Sequence, residues 1–226
     1  MSLPVVLVPG FATSAKRTWN DNGWVDLLAD IGRRAVPLDV LGSGSSAKPH
    51  DPDAYEYFED ELLGRFPDGP VDAIGFSLGA RTLLSIASVH PDRFHSLIVA
   101  GVGQNLFGDN GSGTAIAGAI GGTGDSDDPT VRYFAQLAEA PDQDPKALAA
   151  FMRRSNAPAI TYDSLQTISC PVLIVLGDKD FAGPADPLVD ALATSRLVTL
   201  RNVDHFATPK DFGFLDAALE FLGANE

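Results

Sequence analysis

Short strand-like runs recur along the chain at residues 5–8, 34–40, 71–74, 96–102, 172–176 and 196–200. The first and fifth, V-V-L-V and V-L-I-V-L, contain no polar position, as expected of strands buried on both faces of a parallel sheet. Between the runs the apolar spacing changes to that of a helix. Trp24, Leu27, Leu28 and Ile31 share one face, with Asp21 or Asn22 placed to cap that helix and Gly32 to stop it. Further helical stretches fall at residues 54–66, from Leu78 through Leu83, Leu84, Ile86 and Ala87, at 184–193, and through Phe214, Leu215, Ala218 and Phe221. The last opens on Thr208-Pro209-Lys210-Asp211: an N-cap, a proline at the first helical position and an acid at the third. Such alternation predicts right-handed βαβ units and an α/β, doubly wound, mostly parallel sheet of about six strands. Functional groups in sheets of this kind gather at the carboxyl ends of the strands.

The alternation lapses from Gly103 to about Ser169. Residues 108–124 hold seven glycines and read as a mobile loop, and helical patterns follow at 131–140 and 145–154. The expected division is a core of residues 1–102 and 170–226, with residues 103–169 inserted after the fourth strand as a small helical lid.

At 226 residues the chain suits one domain with an insertion, and 45% apolar residues supply an ample core. A net charge of −14 argues against nucleic acid and anionic membranes as partners. The single cysteine, Cys170, excludes an internal disulfide framework and a thiolate metal cluster. No apolar run is long enough to cross a membrane, and residues 3–8 are too short for a signal segment, so a cytoplasmic location is expected.

Candidate chemistry centres on Gly75-Phe76-Ser77-Leu78-Gly79, a G-x-S-x-G pentapeptide between a strand-like run and a helical one. In that setting the motif forms a nucleophile elbow, a strained turn that exposes the serine hydroxyl while glycines allow strand and helix to approach closely. A serine hydroxyl needs a base, and the base an orienting acid. His90 and His95 flank the start of the fourth strand, at the wrong edge, and His50 lies in a proline-bracketed turn. His205 follows the last strand, so it is the expected base. The acid is Asp178 or Asp180, both just past the fifth strand, and spacing does not choose between them. Asp204 adjoins His205 and is a poor orienter, since neighbouring side chains diverge on extended backbone. Gly42, Gly44 and Ala47 fit a G-x-G-x-x-A dinucleotide fingerprint, but Pro49 and Pro52 forbid the helix that it requires.

Taken together, the chain is similar to the α/β-hydrolases over nearly its whole length. The resemblance rests on V-L-V-P-G-F (6–11), L-D-V-L-G-S-G-S-S-A-K-P (38–49), G-F-S-L-G (75–79), H-P-D-R-F (90–94), P-V-L-I-V-L-G-D-K-D (171–180) and D-H-F (204–206). It implies a Ser77–Asp180–His205 triad, Asp180 being favoured because the family's acid usually ends a G-x-x-D turn. It implies an oxyanion hole at the Phe11 and Leu78 amides, although Pro9-Gly10 replaces the His-Gly of many members. It also implies a six-stranded core without the two usual leading strands. Serine at the elbow, where haloalkane dehalogenases and epoxide hydrolases carry aspartate, argues against those branches. The implied activity is hydrolysis of a small, largely apolar carboxylic ester or similar acyl compound, with no metal or organic cofactor. Rival readings are a carbon–carbon bond hydrolase, a cofactor-free perhydrolase, and a ligand-binding protein of little turnover. Gln104, Phe107, Tyr133, Phe134 and Phe151 are the expected pocket side chains.

Overall fold

The computed structural model describes residues 2–108, 112–122, 127–155 and 158–224. Six strands form one sheet: β1 (Val5–Val8), β2 (Ala35–Pro37), β3 (Val71–Phe76), β4 (Phe94–Ala100), β5 (Val172–Gly177) and β6 (Ser195–Leu200). Their order is β2-β1-β3-β4-β5-β6, and every pairing is parallel. Val8 pairs with Gly75, Phe76 with Ala100, Ala100 with Val175 and Gly177 with Leu200, which brings the carboxyl ends into one line.

Alternate side chains feed two cores. Val6, Val8, Ala73, Leu97, Val99, Val172 and Ile174 point to the face covered by α2 (Phe58–Leu63), α3 (Leu78–Val89), α7 (Tyr162–Gln166) and α8 (Asp186–Ala191). Val5, Leu7, Ile74, Ile98, Leu173 and Val175 point to the other, covered by α1 (Trp24–Asp30) and α9 (Phe212–Ala224). Strands buried on both sides need apolar residues at every position, hence the unbroken runs of β1 and β5. β2 is shorter than the expected 34–40, since Pro37 lacks an amide proton and only one further bond, Leu38 N to Leu7 O at 3.0 Å, continues the ladder.

Two caps differ from expectation. Gly23, at φ 79°, precedes α1, while the Asn22 amide donates back to the Arg17 and Thr18 carbonyls that end a π-helical turn at Lys16–Asn20. Thr208–Lys210 forms a separate 3₁₀ turn instead of the first turn of the last helix. Trp24 Nε1 donates to the Pro209 carbonyl (2.8 Å), which a continuous helix would need for Gly213 N. Asp211 therefore caps α9 itself, accepting from Gly213 N at 2.9 Å.

Residues 101–171 leave the sheet between β4 and β5 and carry α4 (Ser112–Ile120), α5 (Pro129–Ala138) and α6 (Pro145–Met152) before α7 rejoins the core layer against α3 and α8. The glycine-rich stretch expected to be a loop thus contains a helix, with 109–111 and 123–126 outside the described residues. Ile116, Ala117 and Ile120 lie buried on one side of α4, and both isoleucines join Val131, Phe134 and Leu148 in a third apolar cluster. That packing outweighs the poor helix propensity of glycine. The cluster stands over the carboxyl edge of the sheet, with Phe11, Ala12 and Phe206 beneath it. Among the described residues no helix is long and apolar enough to cross a membrane.

Candidate active site

β3 runs directly into α3 through Ser77, whose φ of 53° and ψ of −112° lie outside the common regions for a non-glycine residue. The turn is held by Ser77 N donating to Ala100 O (2.8 Å) and by Arg81 N donating to Ser77 O (2.9 Å). A Cβ on Gly75 would lie 2.6 Å from Ala80 N, and one on Gly79 would run into the Val8 carbonyl oxygen. Both glycines are therefore required by the closeness of strand and helix.

The loops after β5 and β6 close on each other. Asp178 N donates to Leu200 O (2.9 Å) and Lys179 N to Val203 O (3.1 Å). There is no room for a side chain at Gly177, where a Cβ would strike the Val203 carbonyl. This zipper sets Asp180 against His205. Nδ1 of His205 donates to the Asp180 carboxylate at 2.9 and 3.0 Å, and Nε2 stands 3.0 Å from Ser77 Oγ. Because a carboxylate only accepts, the ring proton belongs on Nδ1, which leaves Nε2 to accept from the serine hydroxyl. His205 and Asp180 are 2% and 8% exposed, so the relay is shielded from water except at its serine end. The imidazole is held between the rings of Phe76 (4.9 Å between centroids) and Phe181 (4.3 Å).

The competing groups are engaged elsewhere. Asp178 is exposed and accepts from Asn202 N at 2.7 Å, and Asp204 caps the following turn through Ala207 N at 2.9 Å. His95 meets Asp72 at the amino edge, and His50 meets Asp144, the cap of α6. The G-x-G-x-x-A turn does not open a helix, since α2 begins only at Phe58. Its Ser45 amide and hydroxyl both donate to the Asp39 carboxylate (2.8 Å each), which also takes Ala15 N (2.7 Å). A carboxylate filling that turn is incompatible with a phosphate there.

Ser77 and His205 open into a cavity of about 250 Å³ beneath α5. Phe11, Phe76, Phe134, Leu137 and Phe206 give it an apolar wall around the serine, and Tyr133 packs on Phe206 at 3.8 Å between ring centroids. Of the expected pocket residues Tyr133 and Phe134 line it. Gln104 and Phe107 do not: Gln104 is exposed on a 3₁₀ turn whose amide bonds Pro184 O, and Phe107 stacks on Tyr162 at 4.7 Å. Phe151 lies behind the wall, stacked on Phe11 at 5.9 Å. Not anticipated are Thr13, Arg17, Thr18, Asn22, Pro209 and Lys210, which complete the lining. Their signal was position, since they follow β1 and β6 at the carboxyl edge. The Phe11 and Leu78 amides donate to no other group among the described residues, Leu78 being the first residue of α3 and so outside its internal ladder.

The model of the alpha/beta hydrolase family matches residues 5–221. The chain belongs to that family. Two relatives of this alpha/beta hydrolase are each 27% identical to it. One is the 2-hydroxy-6-oxo-6-(2'-aminophenyl)hexa-2,4-dienoic acid hydrolase of Metapseudomonas resinovorans, over 43% of this chain and 35% of that protein. The other is the pimeloyl-[acyl-carrier protein] methyl ester esterase of Neisseria meningitidis, over 76% of this chain and 61% of that protein. The match therefore spans less than two thirds of either relative's length. A thermophilic esterase from Thermogutta terrifontis superposes with a TM-score of 0.74 at 18% identity, covering 100% of this chain and 91% of that one. At that identity the likeness is one of fold.

Proposed function

We propose that the chain is a serine hydrolase that cleaves a small, largely apolar carboxylic ester, or a comparable acyl compound, through an acyl-enzyme on Ser77. The observation that carries this reading is the unbroken Asp180–His205–Ser77 relay, at 2.9 and 3.0 Å, ending at the aromatic wall of a cavity. Oγ attacks the carbonyl carbon while His205 Nε2 takes its proton, and Asp180 stabilises the imidazolium that forms. The oxyanion is received by the Phe11 and Leu78 amides, the latter at the positive end of α3. Each such donor lowers the barrier by roughly 3–4 kcal/mol. The imidazolium returns the proton to the leaving alkoxide and the alcohol departs. Water, deprotonated by the same ring, then attacks the acyl carbon and releases the acid and free Ser77. No step calls on a metal or organic cofactor. In this reading α4, α5 and α6 form the lid, with Tyr133, Phe134 and Leu137 roofing the acyl site.

A fluorophosphonate probe tests the assignment. It should label the wild-type chain and spare Ser77→Ala, whose turnover of aryl esters should fall by a factor of about 10³ or more. Ser77→Ala that still turned over esters at the wild-type rate would remove Ser77 from the mechanism. Carbon–carbon bond hydrolysis on the same triad is favoured by one observation, the match to the dienoic acid hydrolase. Brisk turnover of a 2-hydroxy-6-oxo dienoate with negligible ester turnover would reverse the order of the two readings.

A further inference from the structure

The cavity over Ser77 has two chemically different walls. Around the serine it is aromatic, but Arg17, Lys210, Asn22, Thr13 and Thr18 also line it. Nη1 of Arg17 is buried and makes no hydrogen bond. Its ion-pair partner, Asp142 Oδ1, is 3.7 Å away, beyond hydrogen-bond range, and itself accepts no hydrogen bond. The Arg17 side chain is 38% exposed, and this long ion pair is its only charged partner among the described residues, which leaves guanidinium donors for a further acceptor. Lys210 lines the same cavity and pairs with no carboxylate among the described residues. The chain has a net charge of −14 and only 16 basic residues, so two cations lining one small cavity are a local departure from the whole.

The backbone that presents Arg17 is pinned from both sides. Arg17 N donates to Ser14 Oγ at 3.3 Å, and Asn22 Nδ2 donates to Arg17 O at 3.2 Å. Much of the ordering that binding would otherwise require is thereby already in place. A planar fork of N–H donors matches a carboxylate better than a neutral carbonyl or hydroxyl.

We infer that the substrate carries a carboxylate remote from its scissile bond, and that Arg17, assisted by Lys210, receives it. The inference rests on the serine-hydrolase reading and narrows it: the preferred substrate is a half-ester of a short dicarboxylic acid, or an acyl compound of the same shape. The aromatic wall takes the methylene chain, and the cationic wall takes the charge.

Binding to Ser77→Ala tests this without depending on turnover. Monomethyl half-esters from glutarate to suberate are titrated calorimetrically against the matched methyl alkanoates. At the best chain length the half-ester should bind at least about tenfold tighter than its neutral counterpart, the scale of a charge-assisted hydrogen bond. Adding Arg17→Met should bring that ratio to about one, and Arg17→Lys should keep part of it. Equal or weaker binding of the half-ester at every length, no measurable half-ester binding, or an unchanged ratio in Arg17→Met would each overturn the inference. Fluorophosphonate labelling of the wild-type chain is read alongside. A preserved charge preference without labelling sinks the serine-hydrolase reading alone, and labelling without a charge preference sinks the carboxylate alone.

Discussion

Asp178 and Asp180 stand two positions apart on one turn and serve different neighbours. Asp180 is buried against His205, whereas Asp178 is exposed and holds Asn202 N at 2.7 Å. Asp180→Asn should therefore reduce kcat by about 10⁴, because a neutral amide neither stabilises the imidazolium nor enforces its tautomer. Asp178→Asn should cost about 1 kcal/mol of stability and little activity. Both variants are assayed on one ester, with folding followed by circular dichroism, and the opposite ranking would make Asp178 the orienting acid. Cys170 lies outside this chemistry: burial pushes its thiol up to about 11, so it should resist alkylation until the chain unfolds.

Among the elements, α6 is tied to the loop after β2 by Tyr55 as well as by the His50–Asp144 contact. The single Tyr55 hydroxyl proton is shared between Pro49 O (2.8 Å) and Ala147 O (3.1 Å), and burial, with a smaller push from Asp144, raises its pKa to about 12. Its ordinary value is about 10, so the folded state holds this proton more tightly than the unfolded chain. The stability it confers is complete below about pH 10 and is lost as pH rises through the folded value of about 12. Tyr55→Phe leaves two carbonyls without their donor and should cost about 1–3 kcal/mol at neutral pH. It should also flatten the alkaline decline, read by denaturant titration at several pH values. An alkaline decline identical in wild type and variant would show that Tyr55 does not report on this contact. At the elbow, Leu78→Pro should abolish ester turnover by deleting the proposed oxyanion donor, while Leu78→Met should retain most of it.

Across the whole molecule, the two edges of the sheet divide stability from chemistry. At the amino edge the buried Asp72 pairs with the buried Arg33 and also takes Ser96 Oγ and His95 Nδ1. Ser77, Asp180 and His205 meet at the opposite edge. Asp72→Asn removes a buried counter-charge of Arg33 and should lower unfolding free energy by about 3–5 kcal/mol. The kcat of the fraction that remains folded should stay near wild type. A large fall in kcat with stability intact would mean that the two edges are coupled.

What the sequence determined by itself was whatever depends on local pattern. The unbroken apolar runs of β1 and β5 announce strands covered on both faces, and G-x-S-x-G announces a turn that only glycines can close, because these requirements are met within a few residues. Chain order and strand ends likewise brought Ser77, the two aspartates and His205 to one edge. Tertiary structure decided the rest. Asp180 was separated from Asp178 by the closure of the β5 and β6 loops, which turns one carboxylate to the ring and the other to Asn202. The helix over glycine-rich 112–120 exists because Ile116 and Ile120 find Val131, Phe134 and Leu148, partners that no local rule supplies. Gln104 and Phe107 turned away from the cavity while Arg17 and Lys210 turned out to line it. Which side chains share a cavity is set by how separate loops pack over the sheet, a property that no stretch of sequence carries alone.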